Sequence, residues 1–342
     1  MRKKQLVLYV AIFVAALLAI LGIGFAIRSA IRAGNLAGID WYDVNKKEFV
    51  ITTEEELYEF ATLSDYYDFE GQTIKLGADI VVNEGNAEDW KANAPEKRWQ
   101  PITEFAGTFD GQGHSISGLY GKSSSLSMGL FSKTKKTCVI KDFSLLNSFF
   151  TNTTNNGLGS ILGEGAGKIT KVYSDAIIYG TGESNGGIAG LIKDELTLKE
   201  CWFDGQVSAT QRSNGGMIGW VDRKANVKID NCLNSGQIQF LGEGGSSSGG
   251  FVGNISELAY RTDVSQVEIT NSLTTGEIEA TNMANTGSAV GVVRKLGALT
   301  LDNTYAVIKV TDDVGTENTI GSVNGQLVGN AIPRYKIGRA HV

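Results

Sequence analysis

Five short stretches decide how this chain folds: Gly159-Ser-Ile-Leu-Gly163, Gly186-Gly-Ile-Ala-Gly190, Gly215-Gly-Met-Ile-Gly219, Gly249-Gly-Phe-Val-Gly253 and Gly287-Ser-Ala-Val-Gly291. A weaker copy stands at Gly321-Ser-Val-Asn-Gly325, and Met128-Gly-Leu-Phe-Ser132 precedes the series. Between them runs a second block: Ile140-Lys-Asp-Phe143, Ile169-Thr-Lys-Val172, Leu198-Lys-Glu-Cys201, Ile229-Asp-Asn-Cys232, Ile269-Thr-Asn-Ser272 and Leu301-Asp-Asn-Thr304. Six positions beyond each stand Phe149, Ile178, Val207, Ile238, Ile278 and Val310. Recurrence at this length is the mark of a repeat architecture.

The spacing carries the physics. From the first residue of the second block to the last glycine of the next glycine block takes 21–24 residues. The return leg takes 6, 8, 10, 16 or 10. One side of every unit is fixed and one corner is free to grow, as stacked coils require. Alternation such as Val227-Lys-Ile229, Val267-Glu-Ile269 and Ile238-Gln-Phe240 has the period of strands, not helices. The expected fold is all-β: a parallel β-helix, right-handed by the crossover rule, with coils about 4.8 Å apart. Glycine, 43 of 342 residues, is placed at corners that need positive φ or at points where coils pass too closely for a Cβ.

Within the repeats, Asn231, Asn271 and Asn303 share one position, which suggests a ladder of side-chain amides. Cys201 and Cys232 share the next, either as two small inward side chains beside Val172 or within disulfide reach. One residue further on come Tyr173, Trp202, Leu233, Leu273 and Tyr305. Turned outward, these five form an apolar, aromatic ridge suited to a glycan or protein ligand; turned inward, they fill a corner. They are the candidate ligand-binding residues. The loops Gly242–Ser248 and Asn254–Gln266 are further contact candidates.

The first part of the chain reads differently. Residues 1–34 are predicted to be a basic cytoplasmic tip and a transmembrane signal-anchor. Arg2, Lys3 and Lys4 precede an apolar run from Leu6 to Ile27, long enough at 1.5 Å per residue to cross a bilayer. Residues 35–120 are read as an N-terminal cap with the first coils. Thr53-Glu-Glu-Glu56 is a capping box opening a helix over Glu54–Leu63, with Leu57, Phe60 and Ala61 on one face. Strands are predicted at Thr73–Leu76 and Ile80–Val82, and a polar stretch at Asn83–Lys97. Residues 121–335 hold the repeats. The last six of residues 336–342 are what a common short-read sequencing adapter encodes, so that tail is read as an artefact outside the fold.

Phe105-x-Gly-Thr-Phe-Asp-Gly-Gln-Gly-His-Ser-Ile-Ser-Gly-Leu119, with Thr73-Ile-Lys-Leu-Gly-Ala-Asp79 and Trp99-Gln-Pro-Ile102 before it, resembles the opening of bacterial surface β-helix proteins. Ile229-x-Asn-Cys-x-Asn-x-Gly-x-Ile238 and the Gly-Gly-x-x-Gly blocks resemble the GLUG-motif repeats of those proteins. The resemblance implies a large exported, adhesin-like chain, or the repeats found N-terminal to IgA-cleaving zinc metallopeptidases. The sequence lacks the His-Glu-x-x-His of the latter and a cell-wall sorting signal.

Chemistry is sparse. Residues 35–335 carry 24 Lys and Arg against 37 Asp and Glu, net −13, which would repel a nucleic acid backbone. One histidine in that span, His114, and three cysteines give no zinc-ligand pattern and no disulfide framework. His114 sits in a glycine-rich turn with nothing to orient it as a base. Phe109-Asp-Gly-Gln-Gly113 matches no phosphate loop. Asp142 and Glu200 share a register position two coils apart, about 10 Å, near the outer limit for an inverting glycosidase pair. The expectation is therefore a non-catalytic, membrane-anchored extracellular adhesin or display stalk, without metal or cofactor. Its alternatives are an accessory region of a larger surface enzyme and a polysaccharide-active β-helix enzyme.

Overall fold

The computed structural model describes residues 38–312, apart from 154–156, 244–245, 256–263, 281–284 and 295–296, and short strands at 317–319, 328–331, 335–337 and 340–341. The predicted anchor, residues 1–34, lies outside the described residues; among those described, no helix is long and apolar enough to cross a membrane. Residues 44–342 form one compact unit, separate from 1–43.

The coil beginning at Asn226 shows the path of the chain. Asn226–Asp230 runs to a corner at Asn231, Leu233–Asn234 follows, and Gln237–Phe240 forms the next side. Ser248–Gly249 and Val252–Ile255 bring the chain back. Each strand pairs in parallel with its counterpart one coil on: Ile229 with Ile269, Leu233 with Leu273, Ile238 with Ile278, Gly249 with Gly287 and Val252 with Val290. The fold is a parallel β-solenoid. Its ladders run without interruption across residue 120, where Thr108–Asp110 joins Val139–Lys141 and Tyr120–Ser123 joins Phe149–Asn152.

The repeated apolar residues form the core. Ile140, Ile169, Leu198, Ile229, Ile269 and Leu301 stack in one fully buried column, and Ile178, Val207, Ile238 and Ile278 in another. Neighbours at one ladder spacing remove each other's side chains from water, so burial accumulates coil by coil.

Two sequence registers need correcting. Ile178 pairs with Phe150, and Phe149 with Ile177. One extra residue stands between Leu145 and Phe149 compared with Ser174 and Ile177, and Asn147 takes it up in a left-handed conformation, φ 42°. The sixth glycine block also shifts. Val290 pairs with Val328, so Val328 and Gly329 stand in register with Val290 and Gly291, four residues later than expected; residues 320–327 lie outside the described residues. The shifted frame keeps a valine in the Ile218–Val252–Val290 column, where the expected frame would have put Asn324.

The glycines of the blocks act through close approach. None of those described has positive φ; left-handed corners belong instead to Asp142, Lys171, Glu200, Asn231, Asn271 and Asn303, φ 48–57°, and to Ser184, Ser213 and Ser247, φ 45–72°, two residues before three of the blocks. A Cβ on Gly219 would lie 2.5 Å from the backbone N of Asn185, one coil away. Asparagine is enriched at the later corners because it tolerates αL better than most residues.

Helix α1, Glu54–Ser64, closes the first coils. Its capping box forms as expected: Glu56 N–H donates to Thr53 Oγ1 at 3.2 Å, and Thr53 N–H to Glu56 Oε2 at 3.2 Å. Phe60 is fully buried against Phe69, Phe105 and Phe109, with ring centroids 5.0, 5.7 and 6.2 Å away. An amphipathic helix thus supplies the apolar contacts that the first coil lacks on its open side. At the other end, Tyr335–Ile337 and Ala340–His341 continue the ladders on Leu299–Leu301 and Thr304–Tyr305.

Candidate functional site

Each of the six left-handed corners from Asp142 to Asn303 is followed one residue later by an inward side chain and two residues later by an outward one. The inward column is Phe143, Val172, Cys201, Cys232, Ser272 and Thr304, all buried. Its later members donate to the carbonyl two residues back: Cys201 to Lys199, Cys232 to Asp230, Ser272 to Thr270 and Thr304 to Asp302, at 2.6–3.4 Å. A small hydroxyl or thiol suits the place because its own buried proton finds an acceptor in the carbonyl just before the corner. Cys201 and Cys232 are accordingly free thiols, the first of the two sequence readings, and burial pushes the Cys201 thiol well up.

The outward column is the predicted ridge. Tyr173, Trp202, Leu233, Leu273 and Tyr305 are consecutive ladder partners. Trp202, Leu273 and Tyr305 are 43%, 36% and 39% exposed, while Tyr173 and Leu233 are half-buried. The stripe begins above Ser144, the partner of Tyr173 in the preceding coil. Tyr173 and Trp202 meet edge-on, centroids 4.9 Å apart at 71°. The Trp202 indole N–H donates to Ser235 Oγ at 2.7 Å, and Ser235 donates to Asp204 Oδ1 at 2.5 Å. Burial and the Asp175 and Asp204 charges raise the Tyr173 phenol. The ring pair is held in one orientation before any ligand arrives.

Two grooves flank that pair. The first, about 540 Å3, is lined by Asp110, Asp142, Ser144, Lys171, Tyr173 and Glu200 among others. Here Lys141 Nζ lies 2.7 Å from Asp110 and 3.4 Å from Asp142, and Lys199 Nζ lies 3.7 Å from Glu200. Burial of Asp110 is outweighed by hydrogen bonds from Lys141 and Gln112, so its carboxyl lies below the usual range. Asp142 and Glu200 therefore do share a groove, with Lys171 between them in register. Two of the three carboxylates lining it are ion-paired to Lys141 and the third to Lys199.

The second groove, about 460 Å3, was not foreseen. It joins Asp175, Asp204 and Ser235, two residues beyond the stripe, to Asn86–Glu88 and Asn147. Asn147 builds it: its Oδ1 accepts from Ala87 N–H at 2.9 Å, its Nδ2 donates to Gly85 O at 2.8 Å, and its own N–H donates to Asp175 at 2.6 Å. Burial holds the Asp175 carboxyl above the usual range, Asp204 adding repulsion against the Asn147 hydrogen bond. The register-equivalence of Asp175 and Asp204 was readable; the insertion that walls them in was not.

The remaining candidates separate from the site. His114 closes a turn, its N–H donating to Gly111 O at 2.8 Å, and its Nδ1 lies 3.3 Å from Asp79. The amide ladder forms only in part: Asn303 donates to Asn271 Oδ1 at 2.8 Å, and Asn271 donates to Asp230 at 2.9 Å. A buried ladder exists elsewhere, with Asn185 donating to Asn214 Oδ1 at 2.9 Å beneath the glycine blocks. Of the expected contact loops, Ser246–Ser248 and Ser265 are buried, and residues 244–245 and 256–263 lie outside the described residues.

Fold and stripe together define a parallel β-solenoid with an outward aromatic line and no assembled catalytic triad among the described residues. No protein-family profile matches the chain. Halomucin of Haloquadratum walsbyi is 27% identical over 163 residues, which are 46% of this chain and 2% of Halomucin. The chain thus spans a small fraction of that relative. A Bacteroides ovatus protein provisionally named an immunoglobulin A1 protease shares the fold, TM-score 0.61 at 18% identity, over 86% of this chain and 85% of its own. A protein named IgA1 protease matches with TM-score 0.50 at 16% identity, over 84% of this chain and 21% of its own. At these identities the likeness is one of architecture.

Proposed function

We propose that this chain is a non-catalytic extracellular β-solenoid that presents a lateral binding stripe, as an adhesin or display stalk, anchored in the membrane by residues 6–27. The observation that carries the reading is the stripe itself. Five ladder partners keep large apolar side chains on the solvent side, where a purely structural coil would place polar ones. Ion-pairing of the groove carboxylates supports a site that holds a ligand over one that transfers protons.

The test displays the chain on cells and measures adhesion to glycan-coated and protein-coated surfaces. Soluble polysaccharides and immunoglobulin A1 are incubated with it in parallel. Adhesion that falls on replacing Trp202 and Tyr305 with alanine, without release of fragments, is expected. Fragment release abolished by Asp142→Asn or Glu200→Gln in a folded chain would overturn it.

A second reading, an accessory region of a larger surface enzyme, is supported by the match in which a similar fold occupies 21% of an IgA1 protease. A reading frame that runs past the codon for Tyr335 into a His-Glu-x-x-His domain would favour it.

A further inference from the structure

The chemistry along the stripe narrows its ligand. We infer that it is a docking line for a linear, uncharged polysaccharide lying parallel to the solenoid axis; the inference rests on the binding reading above and names its ligand class.

Periodicity is the first argument. Four ladder steps separate Tyr173 from Tyr305, about 19 Å at the strand spacing of a sheet. A sugar ring in an extended chain repeats on nearly the same length as one coil. The rings of Tyr173, Trp202 and Tyr305 are flanked by Lys171 and Asp175, Glu200 and Asp204, and Asn303 and Val307. Between them two successive sugars would meet similar rows: Asn231, Leu233 and Ser235, then Asn271, Leu273 and Thr275. In these rows an apolar side chain lies between an amide and a hydroxyl, none of the three fully buried. Ser235 already donates to Asp204 and accepts from Trp202, so the Asn231 amide and the Thr275 hydroxyl are the groups that donate to and accept from sugar hydroxyls.

The second argument is the state of Trp202. Its one donor is already engaged by Ser235, and Tyr173 holds it in a T-shaped contact. What it offers outward, at 43% exposure, is an indole in a fixed orientation, apolar surface suited to the C–H face of a pyranose and making no further polar demand.

Charge is the third. Lys141 and Lys199 are paired with carboxylates, and the exposed Lys171 beside Tyr173 is outnumbered by Asp175, Asp204, Asp230 and Asp302 flanking the stripe. An anionic polysaccharide would be repelled. A protein partner would need about 800 Å2 of surface, broader than a line one side chain wide.

The test runs the full chain through native gels containing hydroxyethyl cellulose, neutral xylan, galactomannan or dextran, with polygalacturonate as the anionic counterpart. At least one neutral glycan retards the chain and polygalacturonate does not. Calorimetry with oligosaccharides of the retarding glycan gives affinity that rises with length to about five sugars, one per coil of the stripe. Trp202→Ala weakens binding roughly tenfold or more at unchanged melting temperature. Tyr305→Ala removes the gain from the longest oligosaccharides and leaves the shorter ones unaffected. Val50→Ala, exposed and off the stripe, changes nothing.

Absence of retardation by every neutral glycan, or preference for polygalacturonate, overturns the inference. Cell envelopes treated with periodate or protease separate its failure from that of the binding reading. Trp202-dependent binding that survives periodate and is lost to protease overturns the glycan and keeps the binding stripe. Envelope binding indifferent to both Trp202→Ala and Tyr305→Ala overturns both.

Discussion

Replacing Gly219 with alanine should destabilise the solenoid by about 3 kcal/mol, and the structure supplies the working. The new methyl carbon would lie 2.5 Å from Asn185 N, 2.6 Å from Ser184 C and 2.8 Å from Asn185 C. All three are backbone atoms of the preceding coil, so no side chain can swing away. Comfortable contact begins near 3.5 Å, so the coils must part by about 1 Å at that corner. The bonds there, Asn185 N–H to Ser213 O at 3.0 Å and Gly187 N–H to Gly215 O at 3.1 Å, would be carried out of hydrogen-bonding range. Overpacking of about 1–3 kcal/mol and two weakened bonds of about 1 kcal/mol each, partly relieved by relaxation, give the figure. Urea titration followed by circular dichroism measures it, against Gly71→Asn as control. Gly71 sits at φ 72° with nothing within 4 Å of its Cβ position, so asparagine there should stay within about 0.5 kcal/mol. A Gly219→Ala chain as stable as that control would refute close coil contact at the glycine blocks.

Ile229→Ala, at a fully buried position between Leu198 and Ile269, should cost about 2–5 kcal/mol, whereas Leu233→Ala on the stripe should cost under about 1 kcal/mol; paired urea titrations decide. Because burial raises the Asp175 pKa, the folded chain binds this proton more tightly than the unfolded one. Its contribution to stability is full below about pH 4 and is lost as pH rises through the folded value. Asp175→Asn should therefore remove part of the decline in melting temperature above pH 4, and an unchanged profile would contradict the assignment. Iodoacetamide should leave Cys138, Cys201 and Cys232 unmodified in the native chain and alkylate all three in denaturant, read by mass spectrometry.

The repeat register was legible because inward positions must match from coil to coil. Ile229, Cys232 and Ile238 could each be assigned a column from spacing alone, and the ladders place them there. The method failed where the count between columns changes. Asn147 adds one residue to a corner, and a fixed offset therefore selected Phe149 over Phe150. The direction of the stripe was open in the sequence, since Tyr173 and Trp202 suit a core or a surface; the left-handed residue before Cys201 fixes it by turning Cys201 in and Trp202 out. The second groove was hidden for another reason. Asn86–Glu88 reach Asp175 through Asn147, across separations no local pattern encodes. The role of the glycines, too, depends on what lies one coil away, which only coordinates supply.

The central claim is that residues dispersed through the repeats form one straight outward line. Nitroxide labels on Ser144→Cys and Tyr305→Cys, with the native thiols buried, test it by double electron–electron resonance. Five ladder steps separate the two positions, so a single narrow distribution near 24 Å, widened by the label arms, is predicted. A broad distribution, or one centred beyond about 40 Å, would mean that the coils do not stack in this register and that no continuous stripe exists.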